Sequence, residues 1–138
     1  MYLIDTDTVI YTLKGHPVVQ QNIKLHLQDP IMISVVTCME LYYGAYKSQR
    51  VASNLAKIKT IEASLEVIPV GPETSETFGL LKAQLEKRGT RLDDFDLILA
   101  ATALSHNLTL ITNKATHFKR IEGLKTENWA TQTLPIKV

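Results

Sequence analysis

The sequence contains a single cysteine, Cys38, among its 138 residues. One cysteine excludes an internal disulfide and is typical of a protein from a reducing compartment. No apolar run reaches the roughly 18 residues that a membrane-spanning helix needs. The N-terminus has no basic segment ahead of its first apolar residues, as a secretory signal would. These absences predict a cytoplasmic protein that does not associate with membranes.

An excess of charge of one sign is also missing, because the formal net charge is only +1. Binding of nucleic acid by bulk charge is therefore excluded, whereas local basic patches are not. A zinc cluster is excluded as well. The histidines are scattered at spacings that match no ligand motif, and there is only one cysteine to join them. They are His16, His26, His106 and His117.

Short apolar segments alternate with amphipathic helical patterns along the whole chain. The predicted strands are residues 2–4, 31–33, 65–70 and 108–112, with a short edge strand at 125–127. This alternation is typical of an α/β fold with a mostly parallel central sheet covered by helices on both faces. No repeat or linker divides the chain. We expect one domain over residues 1–130, followed by a C-terminal tail at 131–138.

Three acidic residues stand in apolar surroundings. Asp5 ends the first predicted strand, and Glu40 is the only charged residue in the stretch 30–46. Asp96 directly precedes the apolar run 97–101, in a helix that is apolar almost all round and should be buried. Ligands of parallel sheets bind outside the carboxyl ends of the strands. We therefore expect Asp5, Glu40 and Asp96 to meet at that edge.

Each acid also has a purely structural interpretation. Asp5 can cap the helix that follows it, although Thr6 or Asp7 can do the same. Glu40 can be an ordinary solvent-facing residue of its helix. Within the third acidic stretch, Asp93 or Asp94 is better placed than the deeper Asp96 to act as the cap.

Carboxylates that converge repel one another, and one pKa rises strongly unless a cation joins them. A hard divalent ion with oxygen ligands resolves this conflict. We therefore predict a Mg²⁺ site, with Mn²⁺ as a possible substitute. Such an ion indicates phosphoryl chemistry, because it polarises a phosphate and activates water for attack.

These residues stand in an order that resembles PIN-domain ribonucleases, and more closely the VapC toxins of prokaryotic toxin–antitoxin pairs. The matching segments are 2–10, 33–44, 96–104 and 110–113, followed by Phe118, Gly123, Leu124 and residues 127–129. Each segment alone is a weak signal, whereas the ordered set covers nearly the whole chain and is fairly specific.

The resemblance implies a PIN-like three-layer α/β/α sandwich in which Asp5, Glu40 and Asp96 match the family's metal-binding acids. It implies a Mg²⁺-dependent endoribonuclease that hydrolyses phosphodiester bonds of RNA, with tRNA or rRNA as the expected target. It also implies a toxin that is usually a homodimer and is inhibited by a cognate VapB-type antitoxin covering the acidic pocket.

The sequence departs from the family pattern at two positions. Asp7 stands where many relatives have Asn, and Lys114 stands where the family often has Asn or Asp. Thr112 or Asn113 can replace that missing polar group, or Lys114 can contact a phosphate. The side chains expected around the three acids are therefore Thr6, Asp7, Asp94, Thr112, Asn113 and Lys114.

RNA-binding residues cannot be assigned from the pattern. Several basic residues can line a backbone groove or be ordinary solvated charges: Lys47, Arg50, Arg88, Arg91, Lys114, Lys119 and Arg120. The tyrosines of the third helical segment can stack on bases, but core or dimer packing is the expected role. They are Tyr42, Tyr43 and Tyr46. Gly44 between them predicts the close approach of another chain segment.

Two other functions are compatible with parts of the pattern. Asp5 and Asp7 after a strand resemble the nucleophile loop of haloacid-dehalogenase-like phosphatases, in which Asp5 would be phosphorylated. The order of the later motifs disagrees with that family, and Glu40 would have no role. The second alternative is a PIN-like binding module that has lost catalysis.

Overall fold

The computed structural model describes residues 1–131. In chain order its elements are β1 (Tyr2–Ile4), α1 (Thr6–Leu13), α2 (Pro17–Leu25), β2 (Ile31–Ser34), α3 (Val35–Lys47), α4 (Val51–Ser64), β3 (Glu66–Ile68), α5 (Pro72–Lys87), α6 (Asp94–Ser105), β4 (Thr109–Ile111), α7 (Ala115–Phe118) and β5 (Thr126–Glu127). Apart from Thr131, the predicted C-terminal tail lies outside the described residues.

The strands of this part of the chain form one five-stranded sheet in the order β3-β2-β1-β4-β5. Every neighbouring pair is parallel, so the prediction of a mostly parallel sheet is confirmed. From β1 the chain first proceeds to β2 and β3 on one side, and later places β4 and β5 on the other. The strand order therefore reverses between β1 and β4, which is where open α/β sheets bind their ligands.

Two apolar cores cover the two faces of the sheet. Successive strand residues point to opposite faces, so Leu3 joins the core built with α5 and α6, whereas Ile4 joins the core built with α1, α3 and α4. Helices thus pack on both sides of the sheet, and the predicted three-layer α/β/α sandwich is confirmed. Within residues 1–131, no helix is long and apolar enough to span a membrane.

The helix α6 is buried on nearly all sides, as its composition predicts. Leu97, Leu99 and Ala100 are among its buried residues. Asp93 is its N-cap and accepts a hydrogen bond from the backbone N–H of Phe95. At its other end the chain turns at Asn107, whose φ of 54° is the left-handed conformation expected there.

Three predicted boundaries shift for local reasons. α4 begins at Val51 rather than at residue 48, because Ser48 ends α3. β3 stops at Ile68, since Pro69 has no N–H to continue the ladder. α5 begins at Pro72 rather than at Thr74 or Ser75, because proline suits the first helical position.

The close approach predicted at Gly44 of α3 is wrong, and so is the core packing predicted for two of its tyrosines, whose packing in a dimer stays a prediction. Within residues 1–131, a Cβ placed on Gly44 would have no heavy atom of another segment within 4 Å. Tyr43 and Tyr46 are each 67% exposed and do not pack in the core. Tyr42 is partly buried, and its hydroxyl donates a hydrogen bond to Glu62 of α4. The pattern misled here because tyrosine has an apolar ring and a polar hydroxyl, and suits both environments.

Candidate active site

Asp5 lies at the carboxyl end of the central strand and caps α1. Its Oδ1 accepts a hydrogen bond of 2.9 Å from the backbone N–H of Thr8. The predicted caps Thr6 and Asp7 are instead the first residues of α1. The Asp5 backbone N–H donates to the Ile111 carbonyl of β4, 3.0 Å away. These bonds fix the Asp5 carboxylate at the point where the strand order reverses.

The residue Asp5 is only 3% exposed, and burial of its carboxyl group raises the pKa above the ordinary value of 3.8. Hydrogen bonds from Thr8 and Thr112 act in the opposite direction, and the nearby charge of Asp7 raises the pKa further. A buried carboxylate that is costly to ionise gains from a cation beside it.

Glu40 on α3 is tied to the residue that follows Asp5. The hydroxyl of Thr6 donates a 2.6 Å hydrogen bond to Glu40 Oε1. The same hydroxyl lies 3.4 Å from the Thr37 hydroxyl, one helical turn before Glu40. Glu40 is therefore held against the start of α1, next to the strand end that carries Asp5.

Asp96 contacts the residue that departs most from the family pattern. The ammonium nitrogen of Lys114 lies 3.4 Å from Asp96 Oδ2 and 3.8 Å from Asp7 Oδ2. The Asp96 side chain retains 15% of its exposure. Asp94 instead forms an ion pair with Lys82 of α5, at 3.1 Å. The first turn of α6 thus directs its two acids to different partners.

The pKa of Lys114 reflects both its burial and the acids around it. Burial alone lowers the pKa of its ammonium group, but the negative charges of Asp96, Asp7 and Asp5 outweigh this effect and raise the pKa above 10.5. Lys114 is therefore a cation at neutral pH, and it interacts electrostatically with three of the acids.

The remaining candidates fall into two groups. Thr112 is buried beside Asp5, and its hydroxyl oxygen accepts a 3.0 Å hydrogen bond from the Lys114 backbone N–H. Asn113 is exposed, and its amide donates to the Tyr11 hydroxyl, 3.0 Å away. Thr112 thus lies next to Asp5 in the candidate site, whereas Asn113 contacts Tyr11 of α1.

In each proposed metal ligand, one carboxylate oxygen accepts a hydrogen bond from the protein. The donors are Thr8 for Asp5, Thr6 for Glu40 and Lys114 for Asp96. No three His, Cys, Asp or Glu side chains among residues 1–131 are arranged so that they can hold a metal ion together. The donor chemistry fits a hard divalent ion, because all three groups are carboxylates and Asp5 is buried with a raised pKa.

An open cleft of about 370 Å³ adjoins Asp96 on its solvent side. It is lined by Arg91, Leu92, Asp93, Asp96, Lys114, His117 and Arg120. Arg91, Lys114 and Arg120 bring three positive charges to the cleft, and Asp93 and Asp96 bring two negative ones. The Arg120 guanidinium also donates a 2.9 Å hydrogen bond to the Arg91 carbonyl, which joins the two walls.

The sequence pattern gave three residues of this region no role in the site. Thr8 follows Asp5 at the spacing of an N-cap partner, and Thr37 precedes Glu40 by one helical turn. His117 follows Lys114 by three residues, and its backbone N–H donates to the Lys114 carbonyl. In each case the signal was the spacing from a residue already identified.

The parallel sheet, its strand order and the buried acid beside β4 define a class of α/β domains. In this class, carboxylates lie where the strand order of the sheet reverses.

The PIN domain family model matches residues 2–124. The chain is 35% identical over 128 residues to Ribonuclease VapC2 of Haemophilus influenzae, covering 93% of this chain and 97% of that protein. It is also 35% identical to the tRNA(fMet)-specific endonuclease VapC of Shigella flexneri, covering 94% and 98%.

A solved structure supports the same assignment. A chain of VapBC2 from Rickettsia felis, bound to a DNA fragment from its promoter, superposes with a TM-score of 0.87 at 33% identity. The match covers 93% of this chain and 98% of that chain. The chain therefore belongs to the VapC ribonucleases of the PIN-domain family. This assignment favours the nuclease prediction over the phosphatase alternative.

Proposed function

We propose that this protein is a divalent-metal-dependent endoribonuclease and the toxin of a VapBC-type pair, acting in the cytoplasm on a structured RNA. One observation carries the proposal: the buried carboxylate of Asp5 lies where the strand order reverses, inside a chain that matches VapC ribonucleases along 93% of its length. The name of the Shigella relative makes tRNA(fMet) the first substrate to test.

In this proposal Asp5, Glu40 and Asp96 hold a Mg²⁺ ion, with Mn²⁺ as a substitute. The ion supplies Lewis-acid polarisation of the phosphodiester and lowers the pKa of water. The strand β1 and the N–H of Thr8 hold Asp5, and the hydroxyl of Thr6 holds Glu40. Because no three acids of residues 1–131 are arranged to hold an ion together, the carboxylates would move towards the ion as it binds.

The basic cleft beside Asp96 is the proposed path of the RNA backbone. Arg91, His117 and Arg120 are exposed along it, and Lys114 lies at its inner end. An RNA backbone bound in this cleft would bring a phosphate next to Asp96. Because each such contact releases counterions, RNA affinity should fall steeply with salt.

A second groove supports an antitoxin partner. It has a volume of about 370 Å³ between α1, α3 and α4, and Glu40 is among its lining residues. Its apolar residues include Ile10, Leu13, Leu41 and Ile58. An apolar segment of the antitoxin that fills this groove would reach Glu40. A groove of this kind suits an amphipathic helix. A homodimer is part of the same proposal.

Two substitutions on α6 test the enzymatic part. Asp96→Asn removes the charge of a proposed metal ligand, and Asp94→Asn removes the charge of a neighbour that faces Lys82. We expect Asp96→Asn to lower the rate of tRNA(fMet) cleavage by more than the roughly 10- to 100-fold that loss of an outer-shell partner costs. Asp94→Asn should cleave like the wild type. Unchanged cleavage by Asp96→Asn would contradict the proposed site.

The antitoxin part has its own test. Leu13→Arg places a charge in the apolar groove, and Leu27→Arg places the same charge on an exposed position. With the antitoxin encoded beside this gene, Leu13→Arg should weaken the complex at least tenfold in a binding titration, and Leu27→Arg should not. Equal affinities would show that the antitoxin binds elsewhere.

A further inference from the structure

The ammonium group of Lys114, which precedes α7, contacts acids on two other helices, α6 and α1. Its nitrogen lies 3.4 Å from Asp96 Oδ2 in α6 and 3.8 Å from Asp7 Oδ2 in α1. Lys114 itself immediately precedes α7. A positive charge thus lies between α6, which carries the candidate metal ligand Asp96, and α1, which directly follows Asp5.

This lysine is held in place by its backbone. Its N–H donates to the hydroxyl of the buried Thr112, at 3.0 Å, and its carbonyl accepts from His117 at 2.9 Å. The side chain is 35% exposed, compared with 41% for Lys82 in the surface pair with Asp94. The Lys114 ammonium also lines the basic cleft, so the same charge contacts the acids and faces the proposed path of the RNA.

A fixed cation beside carboxylates has two effects. The cation neutralises part of the negative charge of the carboxylates. Their attraction for a divalent ion is therefore weaker. The cation also gives a phosphate that reaches the acids a positive contact that does not depend on metal concentration. Catalysis of phosphoryl transfer relies on such preplaced charges.

We propose that Lys114 is a built-in cation of the active site, which lies between Asp7 and Asp96, competes with the divalent ion for their negative charge and binds the phosphate that is cleaved. This inference rests on the proposed metal site of Asp5, Glu40 and Asp96. The lysine forms no covalent bond and transfers no proton in this role. It positions the phosphate by its charge.

Metal binding gives the first test, without any cleavage. Mn²⁺ is titrated into the wild type and into Lys114→Met, Lys114→Gln and Lys114→Arg by isothermal calorimetry. Both neutral variants should bind Mn²⁺ at least tenfold more tightly, and Lys114→Arg should stay close to the wild type. Lys82→Met is the matched control, because it removes a lysine from an ion pair with Asp94. Its Mn²⁺ affinity should not change.

Cleavage at saturating Mn²⁺ gives the second test. Lys114→Met and Lys114→Gln should cleave tRNA(fMet) at least tenfold more slowly than the wild type, although their metal site is full. Lys114→Arg should retain most of the rate. A Mn²⁺ affinity within twofold of the wild type, or an unchanged rate at saturation, would overturn the inference.

A further variant separates this inference from the proposed function. Asp96→Asn should greatly weaken Mn²⁺ binding. If it does so while the neutral Lys114 variants behave like the wild type, the metal site stands and the role of Lys114 is wrong. If the wild type binds no Mn²⁺ at a site sensitive to Asp96→Asn, the proposed metal site is wrong and the role of Lys114 is wrong with it.

Discussion

The hydroxyl of Thr6 donates a 2.6 Å hydrogen bond to Glu40 Oε1. Thr6 directly follows Asp5 and is the first residue of α1, whereas Glu40 lies 34 residues further along the chain on α3. One hydroxyl therefore connects the strand end that carries a buried acid with the helix that carries the second acid. Charge-assisted bonds of this kind are about twice as strong as neutral ones.

Replacing Thr6 by valine should separate the effect of this bond from that of side-chain shape. Thr6→Val keeps the branched side chain and loses the donor, so we expect a loss of about 1 kcal/mol in unfolding free energy. Because Glu40 is then free to turn away, cleavage should fall about tenfold. Urea unfolding and a cleavage assay measure the two effects. Thr60→Val, on an exposed turn of α4, is the control and should change neither.

The raised pKa of Asp5 makes stability depend on pH in a defined direction. The folded protein holds the Asp5 proton more tightly than the unfolded chain, whose ordinary value is 3.8. The protonated group therefore contributes stability that is fully present below 3.8 and is lost as the pH rises through the raised pKa. Ionised Asp5 is thus a cost to the folded protein above its raised pKa.

Asp5→Asn should remove this cost while it keeps the helix cap, because asparagine caps as well as aspartate. In EDTA the variant should be more stable than the wild type above the raised pKa, and the difference should shrink as the pH falls towards 3.8. Urea unfolding at a series of pH values measures this. Asp29→Asn, at an exposed carboxylate, is the control. A difference that does not vary with pH would contradict the assignment.

The cap of α6 should contribute to the stability of the folded protein. Asp93 Oδ1 accepts a hydrogen bond from the Phe95 N–H at 3.3 Å. Asp93→Ala removes it and should cost about 1 kcal/mol of unfolding free energy, whereas Asp93→Asn should restore most of the loss. Thermal or urea unfolding distinguishes the three proteins. Equal stability of the alanine variant and the wild type would mean that the first turn of α6 does not depend on this cap.

Trp129 should be essential for the side of the sheet that carries β5. Its ring is fully buried and stacks on His26, with ring centres 4.6 Å apart. Its carbonyl accepts a 3.0 Å hydrogen bond from the Asn22 side chain. Trp129→Ala should cost about 3–5 kcal/mol, a large part of the roughly 5–15 kcal/mol that stabilises a domain.

Circular dichroism during urea unfolding is the suitable measurement for this variant, since the substitution removes the single tryptophan of the chain. Leu27→Ala, at a position that is 69% exposed, should stay within about 0.5 kcal/mol of the wild type. A cost for Trp129→Ala as small as that of the control would mean that the contacts of Trp129 contribute little.

The strands and the position of Asp5 could be predicted because they depend on local pattern. An apolar triplet such as 2–4 forms a parallel strand, and Asp5 directly after it lies at the carboxyl end of that strand. The order of the acids showed that Asp93 or Asp94, and not the deeper Asp96, caps α6, and the structure has Asp93 as the cap. Such features need only a few neighbouring residues.

Features that depend on contacts between distant residues were not predictable. The sequence marked Lys114 as a departure but did not show that its ammonium lies between Asp7 and Asp96. The bond from Thr6 to Glu40 and the open space around Gly44 depend equally on how α1, α3 and α4 pack. The long lysine side chain has many rotamers, and the surrounding charges select one of them.

Cleavage of tRNA(fMet) by the wild-type protein, first in EDTA and then after addition of excess Mg²⁺, tests the central claim most directly. The account of a divalent ion held by Asp5, Glu40 and Asp96 predicts no cleavage in EDTA and full recovery with Mg²⁺. Cleavage by the purified protein that continues unchanged in EDTA would contradict it.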